Sequence, residues 1–136
     1  MTMKKIKFRA KSVKDEKYIY SNSIKFEKIG GLAFPQPYLR DENNNYFTRC
    51  ILESVQQFTG MYDFDGNEIY EGDNIQSLRF PDMKYEVVWY HGCWAIKNHI
   101  SELDENEFET LYEILKIFKF NVIGNIIDNS NLMRSK

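Results

Sequence analysis

Four side chains in this chain are soft enough to bind zinc or attack an electrophile: Cys50, His91, Cys93 and His99. Structural zinc centres usually draw their donors in pairs, C-x2–4-C or H-x3–5-H, so that one turn delivers two ligands. His91-Gly92-Cys93 is tighter than that. Alternation along a strand aims both of its side chains at one face, but Cys50 has to arrive from a distant strand. A nucleophile built from Cys93 with His91 or His99 needs an electropositive setting and a third group to orient the base. The charged neighbours, Glu86 and Glu102, oppose thiolate formation instead. Each thiol reads better as a small buried hydrophobe. A second constellation, Asp63, Asp65, Asn67 and Glu68, suggests calcium. An EF-hand loop places its glycine at the sixth position, between two helices. Counted from Asp63, Gly66 falls at the fourth position, and the flanks read as strands. Turn chemistry asks for the same Asp, Gly and Asn residues without an ion. There is no phosphate-cradling glycine loop and no serine elbow. The expectation is therefore no catalytic residue, no metal ligand and no cofactor.

Without chemistry to place, the next question is what kind of body the chain builds. Its 136 residues, 43% hydrophobic and 28% charged, describe one folded domain rather than a disordered segment. Aromatic residues make up 15%, which favours strands and also supplies interface anchors. The basic start, Lys4-Lys5-Ile6-Lys7-Phe8-Arg9, has no apolar stretch behind it, and no apolar run is long enough to cross a bilayer. Two cysteines are too few for a disulfide framework, so a cytoplasmic protein with reduced thiols is expected. The net charge of −2 conceals an asymmetry: residues 1–28 carry +6, residues 29–80 carry −5 and residues 81–136 carry −3. A basic segment beside an acidic body could attract nucleic acid. The alternation of Ile6, Phe8 and Ala10 with Lys5, Lys7, Arg9 and Lys11 more simply describes a strand with one buried face and one solvated, charged face.

Strands are expected at residues 4–10, from Tyr18, across Ile24–Ile29, over Tyr46–Leu52, at Val55–Thr59, around Ile69 and Ile75, and at Tyr85–Tyr90 and Cys93–Ile96. Gly30–Tyr38 contains Pro35 and Pro37 and reads as a surface loop, since proline cannot donate to a sheet ladder. Asp63–Asn67 predicts a hairpin turn with Gly66 left-handed, and His91-Gly92 a second one. From 104 to 119 the period changes. Phe108, Leu111, Leu115 and Phe118 mark the buried face of a helix, with Asp104 and Glu107 as its capping box and Glu105, Glu109, Glu113 and Lys116 toward water. A last strand over Phe120–Ile127 carries a bulge at Gly124, and residues 129–136 read as a frayed tail. Tyr70, Trp89, Tyr90 and Trp94 are candidate base-stacking rings, although Trp89 and Trp94 also fit a cross-strand pair.

The order Ile6-Lys7-Phe8-Arg9-Ala10, Gln57-Phe58-Thr59-Gly60, Asp63-Phe64-Asp65-Gly66-Asn67-Glu68-Ile69-Tyr70-Glu71-Gly72-Asp73 and Val122-Ile123-Gly124-Asn125-Ile126 resembles the YopX family of phage and prophage proteins from Gram-positive bacteria. The central motif carries most of the likeness. Met61 stands where that pattern usually has Leu, and Lys11 where it has Trp. The resemblance implies a mainly β fold with an SH3-like barrel portion and no established chemistry. The combined expectation is a single α+β, mainly-β domain over residues 1–136: an N-terminal antiparallel portion at 1–55, then an SH3-like barrel portion at 56–128 covered by the 104–119 helix. Its expected role is a non-enzymatic module working through protein contact with itself or with a host or phage partner. A nucleic-acid-binding barrel that uses the basic N-terminal segment is the alternative.

Overall fold

A computed structural model of the chain describes residues 5–98, 103–104 and 107–128. In chain order the elements are β1 (Phe8–Lys11), β2 (Tyr18–Ser21), β3 (Ile24–Glu27), β4 (Gln36–Arg40), β5 (Phe47–Arg49), a 3-10 turn (Leu52–Ser54), β6 (Gln56–Tyr62), β7 (Glu68–Tyr70), β8 (Asp73–Ser77), β9 (Lys84–Tyr90), β10 (Cys93–Lys97), α1 (Leu111–Ile117) and β11 (Phe120–Asn125). The fold is mainly β, with antiparallel pairing in both parts. The chain divides into two compact units, Met1–Phe58 and Thr59–Lys136.

In the N-terminal unit, β1 pairs with β2 on one side and with the first residues of β6 on the other. A second sheet has the order β3-β4-β5. Strand alternation turns Ala10 and Ile19 of the first sheet and Leu39 of the second toward a shared core with Cys50, flanked by Phe8, Ile24 and Val55. The sheets are stitched at a Ser12–Cys50 bridge, where Val13 N donates to Arg49 O at 3.0 Å and Ile51 N to Lys11 O at 2.8 Å. The Ser54 hydroxyl accepts from Lys11 N and donates to Ile51 O, which fixes the chain's exit toward β6.

Two expectations for this unit change. The charged face of β1 is not solvated throughout, because Arg9 and Lys11 are buried. Arg9 Nε donates to Gln56 Oε1 at 2.8 Å, and both cations lie over the Tyr18 ring, at 5.3 and 5.4 Å from its centroid. Long aliphatic stems and a ring quadrupole make that burial tolerable. The expected loop over Gly30–Tyr38 gives way to β4 from Gln36, with Pro37 inside it. Pro37 O accepts from Cys50 N at 2.9 Å, one residue past the end of β5, so the ladder does not need the missing N–H.

The C-terminal unit is organised by a sheet of order β10-β9-β8-β11. Its edges are β10 and β11, so these four strands form an open sheet. The β9–β10 turn places His91 at φ +47° and Gly92 at φ +80°, consecutive left-handed residues of the kind a two-residue hairpin needs. The β8–β11 register shifts between Val122 and Gly124, where the bulge was expected. Ile69, Ile75, Val87, Ile96, Leu111, Ile114 and Phe120 form the core.

The helix is a correction. It covers only Leu111–Ile117, with the Thr110 hydroxyl capping Glu113 N. Of the segment expected to begin it, Glu105 lies outside the described residues, and Asp104 and Glu107 close a turn rather than a capping box. Ile96 N donates to Glu109 O at 3.1 Å, and Ala95 bridges Thr110, so this backbone covers the exposed edge of β10. Edge pairing wins over helical propensity. Leu111 and Ile114 are therefore the helix's buried residues, while Phe108, Leu115 and Phe118 are half-buried. Glu109, Glu113 and Lys116 do face water. Ile114→Ala should lower stability by about 2–5 kcal/mol and Leu115→Ala by clearly less, measured by urea denaturation. Equal losses would contradict this placement of the helix.

Candidate functional site

The acidic motif that suggested an ion is a densely hydrogen-bonded turn of the C-terminal unit. Asp63 is buried, and four donors converge on its carboxylate. Oδ1 accepts from Asp65 N at 3.0 Å and Asn67 N at 2.8 Å. Oδ2 accepts from Asn67 Nδ2 at 3.3 Å and Val122 N at 3.1 Å. Gly66, at φ +85°, lets the chain reverse between them. Asp65 exchanges bonds with Asn121: its own N–H reaches Asn121 Oδ1, and Asn121 Nδ2 reaches Asp65 Oδ2 at 3.0 Å. Glu68 accepts from the Tyr70 hydroxyl. Three residues further on, Asp73 is buried and accepts from Tyr70 N at 2.7 Å beside the left-handed Gly72. Each carboxylate holds backbone or a neighbouring side chain in place.

The soft donors are also engaged elsewhere. Cys50 is fully buried in the N-terminal core, its thiol directed at Thr48 O. Cys93 is half-buried in the C-terminal unit and directed at Tyr90 O. His91 occupies the hairpin turn with its ring edge-on to Tyr90, at 4.3 Å between centroids. His99 lies outside the described residues. Among the described residues no three His, Cys, Asp or Glu side chains come together as a metal-binding group. Of the four candidate stacking rings, Tyr70 is buried and unavailable, and Tyr90 packs on Phe108. Trp89 and Trp94 meet edge-to-face at 4.8 Å across the hairpin, with Trp89 still half open to solvent.

A pocket of about 190 Å³ lies beside β10, lined by Tyr85, Ile96, Leu103, Phe108 and the carboxyl-bearing Asp104 and Glu107, among others. Burial and the nearby Glu109 push the Tyr85 phenol up. The volume is below the roughly 300–1,000 Å³ of ordinary ligand pockets, so this space does not define a small-molecule site.

The polar surface that sequence reasoning passed over lies on the outer face of the β3-β4-β5 sheet. Tyr38 and Arg40 of β4 stand opposite Arg49 and Phe47 of β5, respectively. Lys25 of β3 stands opposite Tyr38. Its Nζ is 4.5 Å from the Phe47 ring centroid and 5.8 Å from that of Tyr38. The intervening Leu39 is fully buried, which places the cations and rings on the side away from the core. The signal was legible as Tyr-x-Arg and Phe-x-Arg, two aromatic–cation pairs at strand spacing. The proline-rich approach to β4 obscured it.

The described chain is mainly β, with antiparallel sheets and an acid-pinned β6–β7 hairpin. A family model described as YopX protein matches residues 7–134, and the chain belongs to the YopX family. No curated protein matches it. Among the described residues no helix is long and apolar enough to cross a membrane.

The thiols supply a test of this geometry. Burial pushes the Cys50 thiol above its ordinary value of 9.0, so the fold favours the neutral form. That contribution is intact below pH 9.0 and is lost as pH rises above it. Stability of the wild-type protein should fall above pH 9.0 more steeply than that of Cys50→Ala, and Cys93 should react with a thiol reagent well before Cys50. Parallel pH profiles, or Cys50 reacting first, would refute the burial.

Proposed function

We propose that this protein is a non-enzymatic assembly module of phage or prophage origin, acting in the host cytoplasm by protein–protein contact and self-association. The observation that carries this reading is the tip of the β3–β4 hairpin. Leu32 and Phe34 are 40% and 68% exposed there, and Phe26 of β3 is 55% exposed. Leu32 N donates to Ile29 O at 3.1 Å, Gly31 takes φ +88°, and Gln36 Nε2 holds Phe34 O at 3.1 Å. Apolar side chains displayed on a fixed turn are an anchor, because burying each one stabilises a contact by about 1.5–3 kcal/mol with little ordering left to do.

Charge supports a second copy as the partner. Residues 1–58 hold eleven Lys and Arg against six Asp and Glu, a net +5, whereas residues 59–136 carry −7. One copy's N-terminal unit attracts another's C-terminal unit, and salt weakens the attraction. The SH3-like character of the C-terminal part belongs to the same proposal, and its four antiparallel strands with one helix support it. We assign no reaction to Cys50, His91 or Cys93, whose side chains pack in a core or on a hairpin.

Light scattering at low salt should give a mass above that of one chain. Leu32→Ser/Phe34→Ser should shift it toward the single chain without loss of thermal stability. A wild-type protein that stays monomeric at its highest soluble concentration would overturn the self-association.

A further inference from the structure

We propose that the outer face of the β3-β4-β5 sheet binds a single-stranded nucleic acid, with Arg40 and Arg49 on its phosphates and Phe47 and Tyr38 beneath its bases. Two aromatic rings and two guanidinium groups alternate on adjacent strands, Tyr38 opposite Arg49 and Arg40 opposite Phe47. The Nε atoms of both arginines are buried and have no hydrogen-bond partner among the described residues. Nε belongs to the side-on edge with which a guanidinium grips a phosphate bidentately, and an unpartnered buried N–H disfavours the resting arrangement. A phosphate oxygen that draws the fork outward relieves that penalty.

The charge balance of the face favours a polyanion. Three cations, Lys25, Arg40 and Arg49, outnumber the one Glu27 carboxylate, which lies 2.9 Å from Lys25 Nζ and gives it up when a phosphate binds. An acidic peptide would satisfy the arginines and leave the rings idle. A single strand uses both, because phosphates run alongside unstacked bases, each with a π-face for a ring. Phe47, 40% exposed, is the accessible platform, and Lys25 leaves its ring for a phosphate when a base arrives. A stacked duplex presents no such base. No described group on this face distinguishes ribose from deoxyribose, so RNA and DNA strands should bind alike. The site is separate from the Leu32/Phe34 tip, and its occupancy does not depend on self-association.

Fluorescence polarisation with labelled oligo-dT and oligo-rU tests the proposal. With three cations engaged, log affinity against log salt should have a slope of about −2. Arg40→Gln/Arg49→Gln should weaken binding at least tenfold and make the slope shallower by about 1.4. Phe47→Ala should weaken binding about tenfold at an unchanged slope, since stacking releases no counterion. Lys14→Gln, in the exposed β1–β2 turn, and Leu32→Ser/Phe34→Ser should bind as the wild type does. If the Gln pair unfolds, Arg40→Lys/Arg49→Lys keeps the charge and loses the fork. It should keep the slope and still lose affinity severalfold. No binding of either strand at low salt, undiminished binding by the Gln pair, or tighter binding of duplex would overturn the proposal. Displacement by polyglutamate with Phe47→Ala silent would overturn it too, and would assign the face to an acidic protein.

Discussion

The Asp63 side chain is the constraint on which the C-terminal unit hangs. A buried carboxylate is tolerable only when hydrogen bonds replace water, and this one receives four, from Asp65, Asn67 and Val122. Three of them shape the β6–β7 hairpin, and the fourth reaches across to β11. Phe64 N adds a bond to Phe120 O at 2.9 Å. One acidic residue thus ties a local turn to the last strand, whose Phe120 then enters the core beside Ile75 and Ile114. Asp73 repeats the device at the next bend, holding Tyr70 N while Gly72 N reaches Val87 O at 2.7 Å. The acidic motif is dense in carboxylates because its turns are dense in orphan N–H groups.

That economy explains which features could be read from the chain. Glycine-punctuated hairpins at Asp63–Asn67 and His91–Gly92 are local, since the residues that bend the backbone also bond it. The Gly124 bulge and the strand at Lys84–Tyr90 are equally local. What escaped was decided at a distance. The 3.6-residue pattern from Phe108 is real, but the backbone of Glu109 and Thr110 pairs with the β10 edge, so α1 waits until Leu111. Pro37 looked incompatible with a strand until β5 proved to end opposite it. Arg9 and Lys11 alternate as solvent-facing residues should, yet both lie over the Tyr18 ring, and Arg9 also donates to the Gln56 amide. Among the candidate site residues, Asp63 forms the turn that its neighbours Gly66 and Asn67 predicted. The Arg40/Arg49 face was missed because the prolines before Tyr38 hid the β4 strand, and the pairing of β4 with β5 is not local.

The two units also divide the surface chemistry. The N-terminal unit is basic and shows rings beside cations, while the acidic C-terminal unit uses its carboxylates to hold backbone. The N-terminal unit exposes Phe34, and its half-buried Arg40 and Arg49 each keep a buried Nε without a partner among the described residues.

The most direct test of the scaffold role of Asp63 is thermal unfolding of Asp63→Ala with and without excess calcium. Four stranded donors should lower stability by roughly 3 kcal/mol, a fall in Tm of about 10 °C, and calcium should leave the wild-type Tm unchanged. An Asp63→Ala protein as stable as the wild type, or a wild-type Tm that climbs with calcium, would contradict the account.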